Sequence, residues 1–116
     1  MPRGITMEAR GWIKVDFGGD ASVSYQAPVI RTEGDPPRVW VRVERTTPDA
    51  SFPHFLSKAS LLEYDCEGGR VRVLQSTLYT GNNQTGRAWI GARDPWAKIT
   101  PGTVGEALRK VVCGDR

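Results

Sequence analysis

Few residues in this chain are of a type that does covalent chemistry. His54 is the only histidine, in the loop Phe52-Pro53-His54-Phe55, and Cys66 and Cys113 are the only cysteines. A nucleophilic cysteine needs a base, so a catalytic reading would join His54 to Cys66 and to Asp65 or Asp94. Asp65 and Cys66 are chain neighbours, and neighbours on a strand point to opposite faces. A metal centre needs several converging His, Cys or carboxylate ligands, and one histidine with two distant cysteines does not supply them. No metal and no cofactor is expected. Glu63 and Asp65 share a strand face at a spacing compatible with acid–base work. The same spacing makes a charged strand face with cross-strand partners such as Arg70 or Arg72, and this reading is preferred. Glu44 is a third carboxylate on a predicted strand. Gly18-Gly19 and Gly68-Gly69 lack the Lys-Ser/Thr ending of a phosphate loop and read as hairpin turns. Asn83-Gln84-Thr85 fits a glycosylation sequon and reads as a surface loop. The chain is therefore not expected to be an enzyme.

The set that could bind is Arg38, Trp40, Arg42 and Arg72. The first three alternate along one predicted strand, and Arg72 falls on another. On neighbouring strands they would make a basic, aromatic sheet face. Such a face can grip acidic protein loops or be covered by a partner, and it can also stack bases and hold phosphates. The bland reading is that Trp40 packs under a helix or loop while the arginines extend to water.

The elements that must carry these residues are mostly strands. In residues 11–17, Ile13, Val15 and Phe17 alternate with Trp12, Lys14 and Asp16. Gly18-Gly19-Asp20 joins this run to a second strand at residues 21–26, as a hairpin. Pro36-Pro37 breaks the chain before the clearest strand, residues 38–46, with Val39, Val41 and Val43 on one face. A long loop follows through residues 47–54. Residues 57–66 fit helix or strand, and the Gly68-Gly69 turn favours a hairpin of residues 61–65 with 70–80. Short extended pieces are expected at residues 87–91 and 96–99. Thr103 and Glu106 have capping-box spacing. Val104, Ala107, Leu108 and Val111 then form one apolar stripe, predicting a helix over residues 104–112. Cys113 lies off that stripe, so the last turn must unwind if its sulfur is to reach the sheet.

The 116 residues, 39% hydrophobic and 25% charged, suit one core and not two. Residues 1–10 are expected to be a flexible segment and residues 11–116 a single β-rich domain. No apolar run is long enough to cross a membrane as a helix. A net charge of +3 permits attraction to anions without demanding it. The first ten residues have no apolar signal-peptide region. Two cysteines fit either one disulfide, as in oxidising compartments, or two separate buried thiols.

The order of these pieces resembles the surface-adhesin protein E family of bacterial envelope proteins. The matching pieces are Gly11-Trp12, Val39-Trp40-Val41, and Glu63-Tyr64-Asp65-Cys66 with Arg70 and Arg72. Tyr79 and Gly81 follow, then Trp96, Ile99-Thr100-Pro101-Gly102-Thr103 and the stretch from Leu108 to Cys113. The resemblance implies an α+β fold: an antiparallel sheet of about five to six strands packed by one short C-terminal helix, with a Cys66–Cys113 disulfide. It implies export to the periplasm, envelope or surface. It further implies adhesion to a protein partner, with host extracellular-matrix proteins as candidates; taken with the absence of catalytic groups, the pattern also allows self-association as a homodimer. No binding residue of the family maps onto this chain. Nucleic acid or another polyanion, held by Arg38, Trp40, Arg42 and Arg72, is the less favoured alternative.

Overall fold

The computed structural model describes residues 11–17, 19, 21–52, 54–91 and 93–114. The expected N-terminal segment 1–10 lies outside the described residues, as do Gly18 and Asp20 of the first predicted turn. The strands are β1 (Gly11–Val15), β2 (Ala21–Ala27), β3 (Arg38–Arg45), β4 (Ser57–Asp65), β5 (Arg70–Gly81), β6 (Thr85–Gly91) and β7 (Ala97–Lys98). They form one sheet in the order β1-β2-β3-β4-β5-β6, every neighbouring pair antiparallel. β6 pairs with the C-terminal half of β5 and β7 with its start, through Arg70↔Lys98 and Val71↔Ala97. Two short helices follow, α1 (Val104–Ala107) and α2 (Arg109–Cys113).

One face of the sheet is buried because β2, β3 and the second half of β4 offer it apolar rows. Val39, Val41 and Val43 face Leu62, Ser60 and Lys58 on β4 and pack beside Val23 of β2. Tyr64, Leu108, Val112 and Cys113 complete the core. The period-2 pattern of β5 breaks at the adjacent pair Val73-Leu74. Leu61 pairs with Gln75 and Leu62 with Val73, so Leu74 is the extra residue of a β-bulge. The bulge keeps Val71 and Val73 on the core side while Gln75, Thr77 and Tyr79 occupy the other.

The antiparallel architecture and the disulfide are as the sequence implied, with two corrections. β4 begins at Ser57, not Leu61, because the Ser57 hydroxyl donates to the Gly81 carbonyl at 2.5 Å and accepts from the Gln84 amide at 3.0 Å. Those bonds let a polar residue start a strand while fully buried. The C-terminal helix is two helices, interrupted at Leu108 (φ −98°, ψ −2°). Leu108 and Val112, one turn apart, are both fully buried with Cys113 beside them, while Val111 is only partly buried. Cys113 thus reaches Cys66 from within α2, and no unwinding is needed. Thr103 caps α1 by accepting from the Glu106 amide at 3.3 Å.

Three ties hold the helices to the sheet. The Cys66–Cys113 disulfide spans a sequence separation of 47 residues. The buried Tyr64 hydroxyl donates to the Gly105 carbonyl at 2.7 Å, and burial raises its pKa. Arg31 donates to the Val112 carbonyl at 2.9 Å, satisfying an acceptor near a helix C-terminus.

Candidate functional site

The face away from the helices brings Arg38, Trp40, Arg42 and Arg72 together. β3 carries the first three at alternate positions, opposite to its buried valines. Across β3, β4 and β5 the register sets Arg38, Glu63 and Arg72 in one row. Trp40, Leu61 and Gln75 form the next row, and Arg42, Ala59 and Thr77 the third.

Glu63 organises the first row. Its carboxylate accepts from Arg38 Nε at 2.9 Å and from Arg72 Nε at 2.8 Å, with Arg72 Nη2 ion-paired at 2.6 Å. Glu63 is only 1% exposed, whereas the Arg38 and Arg72 side chains are 38% and 29% exposed. The arginines therefore roof a buried anion while part of each guanidinium stays at the surface. Burial pushes the Glu63 carboxyl up, but the hydrogen bonds and charges of Arg72 and Arg38 outweigh it and hold the pKa below the usual carboxylate range. Asp65, at the surface end of β4, is held low by the Gly68 amide and then by Arg70.

Aromatic rings fix the outer arginines. Arg72 lies over the Trp96 ring at 4.4 Å from its centroid, and Arg70 over the same ring at 5.6 Å. Arg42 lies 4.9 Å from the centroid of Trp12 and 3.7 Å from Glu44. Such stacking restrains long side chains without consuming all their donors. Four arginines (38, 42, 70 and 72) are set against three carboxylates (Glu44, Glu63 and Asp65), so the ion-paired face carries a small positive excess.

Trp12, Glu63 and Trp96 belong to this face but not to the set named from the sequence. Trp12 had a usable signal, alternating with Ile13 and Val15 at the start of β1. Glu63 appeared in the sequence only as a carboxylate with a partner across the strand. Its second arginine depends on the β3 register, which no local pattern encodes. Trp96 reaches the face because β7 pairs with the start of β5.

The other chemistry-bearing groups do not converge. Cys66 is bonded to Cys113 and offers no thiol. His54 Nδ1 lies 3.0 Å from the Asp49 carbonyl, on the β3–β4 loop. Among the described residues, no three His, Cys, Asp or Glu side chains come together as metal ligands, and no helix is long and apolar enough to cross a membrane.

The family model described as surface-adhesin protein E matches residues 12–114. Neither a curated protein nor a solved structure gives a significant match.

Proposed function

Since the chain belongs to the surface-adhesin protein E family, we propose that it is a non-enzymatic protein of the bacterial envelope or surface that binds another protein through the face bearing Arg38, Trp40, Arg42 and Arg72. The observation that carries this reading is the pre-set arginine–tryptophan array. Arg38 and Arg72 are held by Glu63, Arg72 by Trp96, and Arg42 by Trp12. Tryptophan and arginine are the side chains that most often dominate protein interfaces. Holding them in place beforehand reduces the entropy lost on docking. Matrix proteins of a host and proteins of the same envelope are the candidate partners, and self-association through the same face is the second form of this reading.

Binding to nucleic acid or another polyanion is the second reading: three carboxylates offset most of the charge of the four ion-paired arginines, and Lys14, in one row with Ser24 and Arg42, adds a further cation. Phosphate binding depends on cations that are free to displace counterions. Interferometry with immobilised matrix and envelope proteins tests the proposal. Saturable binding at micromolar protein, with a modest salt dependence, is the expected result. Binding confined to single-stranded nucleic acid and falling steeply with salt would favour the polyanion reading instead. No saturable binding to any protein would refute the proposal.

A further inference from the structure

A second surface lies along the outer edge of the sheet, where Ile90 ends the row of Arg42, Ala59 and Thr77. β6 closes the sheet order, so its outer edge has no strand partner among the described residues. Natural sheets protect such edges with charges, prolines, bulges or a covering segment. The middle of β6, Ala88-Trp89-Ile90, has no charge and no proline. Ile90 is 87% exposed on one side of the strand. On the other side Trp89 meets the ring of Phe52 edge-on at 5.5 Å, and Phe52, from the β3–β4 loop, is itself 73% exposed. The opposite edge differs: β1 has Lys14 near its centre, with the side chain exposed. The one charge within β6 is Arg87, lying over the Trp89 ring at 5.3 Å, and exposed Arg93 follows just beyond the strand.

Resting on the protein-binding reading above, we infer that the outer edge of β6 is a strand-addition site. Its occupant is an extended segment of a partner protein in which apolar residues alternate with acidic ones. Each term follows from the edge. Open backbone groups pair with an extended chain, and alternate side chains supply specificity. The apolar row of the added strand lies on one side and would cover Ile90, while its other row lies on the side of Arg87, Trp89 and Phe52. Acidic residues would meet Arg87 and Arg93. A second copy of this chain would bring Arg87 and Arg93 to a surface that already carries them, which disfavours β6-to-β6 pairing.

The test uses the full oxidised chain with two short synthetic peptides that alternate valine with polar residues. The polar residues are glutamate in one peptide and lysine in the other. Amide hydrogen exchange and chemical-shift mapping locate the contact. The glutamate peptide should slow exchange along β6, and the lysine peptide should bind roughly tenfold more weakly. Ile90→Lys should remove the protection, while Lys14→Glu on the opposite edge should leave it unchanged. Absence of protection on β6, or protection that persists in Ile90→Lys, overturns the inference. So does a concentration-dependent dimer that Ile90→Lys dissolves, because the occupant is then a second copy. A natural partner that protects only the Arg38, Trp40, Arg42 and Arg72 face overturns this inference and leaves the proposed function standing. Absence of any protein partner defeats the proposed function.

Discussion

Replacing Glu63 with glutamine probes the centre of the candidate face. The carboxylate accepts one hydrogen bond from each of two arginines, and a second nitrogen of Arg72 is ion-paired with it, while it is almost wholly buried. Glutamine offers one acceptor oxygen and turns an amide donor toward the second guanidinium. Breaking a fully buried ion pair costs about 3–5 kcal/mol. Arg38 and Arg72 are about a third exposed, so water recovers part of that loss. The expected destabilisation is about 2 kcal/mol at pH 7. With a urea slope of about 1.5 kcal/mol/M, the midpoint should fall by about 1.3 M. The four tryptophans make fluorescence a direct readout. The pH dependence follows from the depressed pKa. The contribution of the carboxylate is complete above the usual value of 4.5 and fades as pH falls through the lower folded-state value. The gap between wild type and Glu63→Gln should therefore narrow in acid. A variant with an unchanged midpoint at pH 7, or with a gap that does not vary down to strong acid, would refute the account of Glu63 as a charged keystone.

Reducing the Cys66–Cys113 bond should lower stability by about 4 kcal/mol, the loop-closure value for a separation of 47 residues. An unchanged urea midpoint under reductant would contradict this. Arg31 and Tyr64 still hold the helices after reduction, so Arg31→Ala combined with reductant should release α2 further, seen as faster amide exchange at residues 109–113. Tyr64→Phe leaves the Gly105 carbonyl without its donor and should cost about 1–2 kcal/mol in a urea melt; equal stability would mean that water replaces the bond.

The strands were legible where the physics is local. Val39, Val41 and Val43 announce β3 because one face of the sheet must be apolar, and Gly68-Gly69 announces the turn between β4 and β5. Thr103 and Gly114 bracket the helical end through cap chemistry, and Gly114 adopts φ +74° there. The start of β4 was hidden because Ser57-Lys58-Ala59-Ser60 has no apolar alternation. Bonds from Ser57 to residues far along the chain make that stretch a strand. Burial lowers the Lys58 pKa against weaker compensation from Asp49, and its ammonium stands 5.5 Å from the Phe55 ring. The break at Leu108 was hidden because a helical stripe drawn from sequence assumes a straight axis. Of the candidate face, alternation placed Arg38, Trp40 and Arg42 together on β3. Glu63 and Trp96 joined them through strand register, a property of the whole sheet.

A protein partner is expected to dock on the arginine–tryptophan face. Arg42 tests this most directly: its ion pair with Glu44 is long at 3.7 Å, and because Glu44 Oε2 is buried without a hydrogen bond, its removal should cost about 1–2 kcal/mol of stability. The decisive measurement is the affinity of wild type, Arg42→Ala and Trp40→Ala for whichever matrix or envelope protein wild type binds, with a melting curve for each. The folded variants should bind that protein roughly tenfold or more weakly, as expected for interface anchors. Folded variants that bind as tightly as wild type would contradict docking on this face.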